Sequence, residues 1–184
     1  MASVKFVVGS CSAVVLGYFT YRELQVDTLD FTLTKHISAK RSDVYRKFCY
    51  EPEFWLKVHP NCVGVTNIIR SQDKDGRKTV QFDMHEEMRV LGISSKFEIQ
   101  LTVKELQENV ATHMSGSLFK GWFQFNQGFR FTDAKEGGIM LEDRCQYTAP
   151  RFFARYIRGV GLTQHTAITE NTRKYFMEVE KQNY

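Results

Sequence analysis

The sequence predicts an α+β domain in which about seven antiparallel strands curve round one long C-terminal helix. Three observations carry this. Between Val63 and Tyr147 the apolar residues recur at every second position, run after run. Short polar turns, Asp73-Lys74-Asp75-Gly76 and Lys135-Glu136-Gly137-Gly138, join some of these runs and make the neighbouring strands antiparallel. After Pro150 the period becomes helical and stays so to about Glu180, a rod of roughly 45 Å. An antiparallel sheet with one apolar face must cover that face, and only this helix is long enough to do so.

The elements follow in order. Leu29, Phe31 and Leu33 alternate with polar neighbours and give a first strand up to Ile37. Ser38 or Ser42 can cap a short helix over 43–49, with Val44, Tyr45 and Phe48 as its apolar positions. Pro52 suits the first turn of a second short helix over 53–58, which His59-Pro60-Asn61 ends. Val63, Val65, Asn67 and Ile69 share one face of the next strand. Val80, Phe82, Met84, Glu86, Met88 and Val90 give the clearest alternation in the chain. Phe97, Ile99, Leu101 and Val103 repeat it. Residues 109–119 form a strand of ambiguous face. Phe123, Phe125, Phe129 and Phe131 follow, with Gly128 as a bulge position. Ile139, Leu141, Asp143, Cys145 and Tyr147 finish the sheet. On the helix, Phe153, Ile157, Val160, Gln164, Ile168, Tyr175 and Val179 fall near one stripe.

The 184 residues suit one domain with a small appendage. The boundaries expected are 1–24 for an apolar N-terminal helix, serving as membrane anchor or signal peptide, and 28–181 for the folded body. Residues 6–21 form sixteen uncharged positions between Lys5 and Arg22. That is short for a bilayer crossing, although Lys5 and Arg22 can snorkel. A signal peptide would need small residues after the apolar core, and bulky Tyr18, Phe19 and Tyr21 stand there instead. The expectation is a single-pass anchor with the domain facing the cytoplasm, with secretion as the alternative and a buried helix as the third. The four cysteines include no C-x-x-C pair, and no N-x-S/T sequon occurs in the body, both in keeping with a reducing compartment. Outside the leader, 23 basic and 21 acidic residues nearly cancel, so no nucleic-acid partner is expected. Fifteen Phe are a large apolar payload for this length.

The order of elements resembles the helix-grip fold of the START-like superfamily (SRPBCC), which includes Bet v 1-like proteins, START lipid-transfer domains and polyketide cyclases. The residues carrying the resemblance are Ser38-Ala39-Lys40-Arg41-Ser42-Asp43-Val44-Tyr45, then Phe54-Trp55-Leu56-Lys57-Val58-His59-Pro60 and Val63. It spans about residues 28–181. It implies a cavity between sheet and helix that takes a hydrophobic small molecule such as a lipid or sterol. Expected wall residues are Phe82, Met84, Met88, Phe97, Ile99, Phe123, Phe125 and Phe129 from the sheet. Ile157, Gln164, Ile168 and Tyr175 come from the helix, and Glu86 sets ligand orientation. The alternatives are a cyclase/dehydratase-type enzyme in the same cavity and a ligand-free interaction module with a filled core.

For catalysis the candidates are Glu86, Asp143 and His165. Glu86 sits on the apolar face of its strand, where a carboxylate is costly unless paired. It is either a ligand-orienting or acid/base group, or a residue of a slipped face or of the cavity mouth. Asp143 is an inward partner of an arginine or one half of a surface ion pair. His165 is a proton carrier or a hydrogen-bonded helix residue. Gly159 and Gly161 weaken the helix and permit close packing or a hinge. Arg151, Arg155 and Arg158 interleave with Phe152, Phe153 and Tyr156, as a membrane-facing segment or as a solvated face over core aromatics. Cys49, His59 and Cys62 match no zinc spacing, and no P-loop, dinucleotide or nucleophile-elbow motif occurs. No metal and no cofactor are expected, and the domain is expected to be a monomer.

Overall fold

The computed structural model describes residues 20–90, 93–118 and 121–182. Strand β1 (Val26–Ile37) leads into helix α1 (Arg41–Tyr50), a 3-10 turn (Pro52–Phe54) and helix α2 (Trp55–Val58). Strands β2 (Cys62–Gln72), β3 (Lys78–Val90), β4 (Ile93–Gln107), β5 (Ala111–Leu118), β6 (Phe123–Asp133) and β7 (Ile139–Pro150) follow, then helix α3 (Arg151–Gln182). The strands form one sheet in the order β1-β7-β6-β5-β4-β3-β2, and every neighbouring pair is antiparallel. Hairpin succession explains each pairing except β1 with β7. That pairing closes the sequence order on itself and runs in unbroken register from Val26↔Pro150 to Ile37↔Ile139.

Period-two alternation survives almost unchanged in β6 and β7. Phe123, Phe125, Gln127, Phe129 and Phe131 alternate inward from β6, and Ile139, Leu141, Asp143, Cys145, Tyr147 and Ala149 from β7, all of them buried. Three sequence expectations are corrected. Asn67 adopts φ 53° and the β2–β3 register shifts between Thr66 and Ile69. The shift moves Ile69, 59% exposed, off the core side. The Asn67 amide then donates to Asp83 Oδ2 at 2.6 Å, which fixes the bulge. Gly128 is no bulge, because it pairs with His113 and with Arg144 without a shift. Neither Ser38 nor Ser42 caps α1, whose N-cap is Lys40 with no side-chain cap bond.

Helix α3 is pinned where it begins. The Arg151 backbone N–H donates to Gln25 O at 2.8 Å, and its guanidinium makes two 3.1 Å bonds to the Asp27 carboxylate. That pair holds the Asp27 carboxyl below its usual range. Toward its C-terminus α3 meets a solid aromatic cluster. Phe48 lies 4.6 Å from Phe129, 5.3 Å from Phe54 and 5.6 Å from Trp55, and Tyr45 lies 5.5 Å from Phe131, centroid to centroid. The buried face there is Ile168, Thr172 and Phe176. Tyr175 and Val179, which the apolar stripe selects, are only half-buried. Thr172 is tolerated inside because its hydroxyl donates to Ile168 O at 2.8 Å.

Residues 1–19 of the leader, which carry most of its expected apolar helix and anchor, lie outside the described residues, and residues 20–24 are helical. Among the described residues no helix is long and apolar enough to cross a membrane.

Candidate functional site

Toward its N-terminus α3 crosses the sheet over a hollow. The cavity measures about 110 Å³. Met84, Glu86 and Met88 of β3, Phe97 and Ile99 of β4, and Met114 and Leu118 of β5 form one side. Phe123, Phe125 and Gln127 of β6 and Tyr147 of β7 continue it. Helix α3 supplies Phe153, Tyr156, Ile157, Val160, Gly161, Gln164, His165 and Ile168, while Trp55 and His59 close one end.

Alternation on β7 aims Asp143, Cys145 and Tyr147 at the helix. One turn separates Gly161 from His165 there, and the two positions do different work. A side chain on Gly161 would place its Cβ 2.7 Å from the Tyr147 ring, so glycine is what lets that ring lie against the helix. The ring then brings the Tyr147 hydroxyl to 2.6 Å from His165 Nε2. On the other side, His165 Nδ1 lies 2.7 Å from Asp143 Oδ2. Asp143 is fully buried, and its second oxygen accepts from Gln127 Nε2 at 2.9 Å. Cys145 Sγ approaches His165 Nε2 at 3.5 Å.

Burial alone would lower the His165 pKa. The hydrogen bond and charge of Asp143, with Cys145, outweigh burial and raise it to about 10. His165 is therefore an imidazolium at neutral pH. Both ring nitrogens donate, Nδ1–H to Asp143 and Nε2–H to the Tyr147 oxygen. The Tyr147 O–H is then a donor in turn, with the Cys145 sulfur as its neighbour. Burial first, then neighbouring Cys145 and Asp143, keep the Tyr147 phenol far above its usual pKa, so it stays protonated.

A second pair stands on β3 and at the end of α2. Glu86 is 4% exposed, and its Oε1 lies 3.3 Å from His59 Nε2. His59 Nδ1 accepts the Asn61 backbone N–H at 3.3 Å, which puts the ring proton on Nε2, facing the carboxyl. Burial, reinforced by the charge of His165, lowers His59 to about 3, so this ring is neutral. Burial raises Glu86 to about 7, against the charge of His165 that lowers it. Two further donors have no partner. Among the described residues Trp55 Nε1 and Gln164 Nε2 are buried without a hydrogen bond, and both side chains line the cavity.

The structure thus brings Asp143 and His165 together and sets Glu86 in the same hollow. Glu86 keeps the inward face and does not sit in water at the mouth. Asp143 is no surface ion pair and does not meet an arginine, because its neighbour Arg144 points outward to Glu142 at 2.5 Å. Ten of the expected wall residues line the cavity: Met84, Glu86, Met88, Phe97, Ile99, Phe123, Phe125, Ile157, Gln164 and Ile168. Phe82, Phe129 and Tyr175 do not. Phe129 is consumed by the aromatic cluster, 6.0 Å from Trp55. Tyr175 packs on Phe54 at 5.2 Å, beyond the hollow. Phe82 is a core residue two positions past Met84. Sequence reasoning missed Trp55, His59, Gln127 and Tyr147 as site residues. For Tyr147 and Gln127 the signal was present, since both fall on the inward phase of their strands. Among the described residues no cluster of His, Cys, Asp and Glu is arranged to hold a metal ion.

No known family model matches the chain, and no curated protein does. Solved structures match in fold. One is the di-domain ARO/CYC StfQ from the steffimycin biosynthetic pathway, with TM-score 0.63 and 16% identity over 89% of this chain. Another is the di-domain ARO/CYC BexL, with TM-score 0.57 and 14% identity over 94% of this chain. The chain spans 54% and 59% of those two proteins. Norcoclaurine synthase from Thalictrum flavum matches with TM-score 0.59 and 11% identity, over 86% of this chain and 91% of its own. The chain has the helix-grip fold. At these identities the likeness is one of architecture, and one fold hosts many chemistries. The polar set of this helix-grip domain is Tyr147 and His165 on the cavity wall with Asp143 behind them, and Glu86 and His59 on the same wall.

Proposed function

We propose that this helix-grip domain binds an apolar small molecule carrying a hydrogen-bond-accepting oxygen, such as a lipid, a sterol or a related metabolite. The observation that carries the reading is a hollow with apolar walls, two of whose lining residues, Trp55 and Gln164, carry buried donors without a partner. Leaving a buried donor unmade costs about 1–3 kcal/mol, which an accepting ligand oxygen recovers. The ligand's apolar surface adds roughly 25 cal/mol per Å² removed from water, offset by the cost of association. The hollow also opposes the reading of a filled, ligand-free module.

The ligand is taken up from a membrane to which the leader tethers the domain. Half-exposed wall residues Met88, Phe97, Leu118, Phe153 and Tyr156 lie toward one end of the sheet. At that end β3 turns into β4, β5 turns into β6, β7 enters α3, and β1 begins. The segment after the leader therefore emerges beside the mouth. Exposed Val26, Ile93, Trp122 and Phe152 share this end, with exposed Arg155 and Arg158 on the helix. Tyr156 spans the mouth by donating to Arg89 O at 3.0 Å. The test is native mass spectrometry of the full chain released from membranes. A small-molecule adduct is expected, and it should vanish in Val160→Trp, which fills the cavity. Absence of any adduct in the unmodified chain, before and after incubation with membrane lipid extract, overturns the reading.

A second reading, an enzyme of the cyclase/dehydratase type in the same cavity, is favoured by the contact between Asp143 and His165.

A further inference from the structure

We propose that the cavity catalyses proton transfer at the carbon beside the carbonyl of an apolar ketone, with Tyr147 donating to the carbonyl oxygen and Glu86 acting as the base. This rests on the reading that the hollow binds an apolar, acceptor-bearing molecule.

A ligand-binding wall needs donors, and Trp55 and Gln164 already supply them. The remaining polar groups do more than a binder requires. Tyr147 is held by a charged partner, His165 Nε2 at 2.6 Å, and that partner is fixed by Asp143 at 2.7 Å. Because His165 donates to the phenol oxygen, the phenol acts as a donor; its hydrogen, which has the Cys145 sulfur as a neighbour, turns to the oxygen of a guest, and its donor strength rises as negative charge grows on the guest. Glu86 is the cavity's carboxylate among the described residues. One of its oxygens, Oε1, lies 3.3 Å from His59 Nε2. Burial raises Glu86 to about 7, so near neutral pH a substantial share is ionised and basic enough to accept a proton. Acid and base come from separate strands, β7 and β3, whose inward faces look across one apolar hollow. A ketone filling it meets both without meeting bulk water.

The step balances without a co-reactant. The Glu86 carboxylate takes the proton from the α carbon. The C–H electron pair becomes the C=C bond, and the carbonyl π pair moves onto oxygen as an enolate. Tyr147 O–H donates to that oxygen. Glu86 then returns its proton to the α carbon or, where the substrate is a β,γ-unsaturated ketone, to the γ carbon of the dienolate, which moves the double bond into conjugation with the carbonyl. Tyr147 and Glu86 are the catalytic residues, and His165 and Asp143 are positioning residues.

The probe is 2-tetralone in D₂O with the full chain in detergent micelles. Proton NMR reads the loss of α-hydrogen signal, and saturation transfer reads binding. Exchange is expected to exceed that in the same buffer without protein. Glu86→Gln and Tyr147→Phe should each slow it by about a hundredfold or more, with binding retained. Both substitutions are close to isosteric, and an unchanged thermal transition verifies folding. If one variant unfolds, the other still decides. Binding of 2-tetralone without protein-dependent exchange overturns this inference and leaves the proposed function standing. Exchange untouched by both substitutions also overturns it. No binding of 2-tetralone or of the open-chain 2-dodecanone overturns this inference and counts against the reading beneath it.

Discussion

The two halves of α3 cover the same sheet and do opposite things. Near Phe176 the helix closes on interlocked rings, Phe48, Phe54, Phe129 and Phe131. Near Gly161 it spans a hollow whose wall mixes Met, Phe and Tyr side chains with buried donors and a carboxyl group. The first half is built for burial. The second gives up packing and keeps buried polar groups, a pattern that function explains better than stability does. Gly159 and Gly161 show the same contrast within three residues. A Cβ at Gly159 meets nothing within 4 Å, whereas one at Gly161 collides with Tyr147.

Four predictions bear on this contrast. The largest effect is expected in the filled half. Phe131→Ala should cost about 3–5 kcal/mol by urea unfolding, because Phe131 is fully buried against Tyr45 and Phe48. Met88→Ala, at the rim of the hollow, should cost under about 1 kcal/mol. Equal losses would erase the distinction between the halves.

Asp143→Asn should follow at about 3 kcal/mol, since it leaves His165 buried without its counter-charge. In an NMR titration the His165 pKa should drop from about 10, because only Cys145 then opposes burial. A pKa that stays high would show that Asp143 is not what holds the proton.

Gly161→Ala should cost about 1–3 kcal/mol by crowding Tyr147. Gly159→Ala should stabilise by up to about 1 kcal/mol, as expected for an open helix position. If both act alike, the Tyr147 seat is not tight.

The smallest effect concerns pH. His165, raised to about 10, contributes stability that is full below pH 6.5 and lost as pH rises toward 10. His59, lowered to about 3, contributes stability that is lost as pH falls from 6.5 toward 3. Glu86, raised to about 7, has the opposite slope to His59 between pH 4.5 and 6.5, so the two nearly cancel. Glu86→Gln should remove the cancellation. Its stability should rise with pH through that window by up to about 1.4 kcal/mol per unit. A flat profile in the variant would mean that Glu86 and His59 do not oppose each other.

Much of this architecture was legible in the residues themselves. Alternation in Phe123–Phe131 and Ile139–Tyr147 set both faces of β6 and β7, and Asp143 stood on the inward phase. The polar turns made the strands antiparallel, and the length of the last helical run made it the cover. What alternation does not carry is long-range pairing. Asp143 meets His165, and Glu86 meets His59, only because the sheet curls round α3 and α2 closes one end. Nor could the stripe of large residues show that α3 turns Thr172 and Phe176 inward in its second half. A polar residue that satisfies its hydroxyl within its own helix leaves no apolar mark. The bulge at Asn67 is equally silent, since a one-residue slip inverts the face without changing composition. Local periodicity is fixed by neighbours in the chain, so the sequence determined the strands, the cover helix and the α+β class. The acid–base set belongs to residues brought together by curvature, and only the tertiary structure decided it.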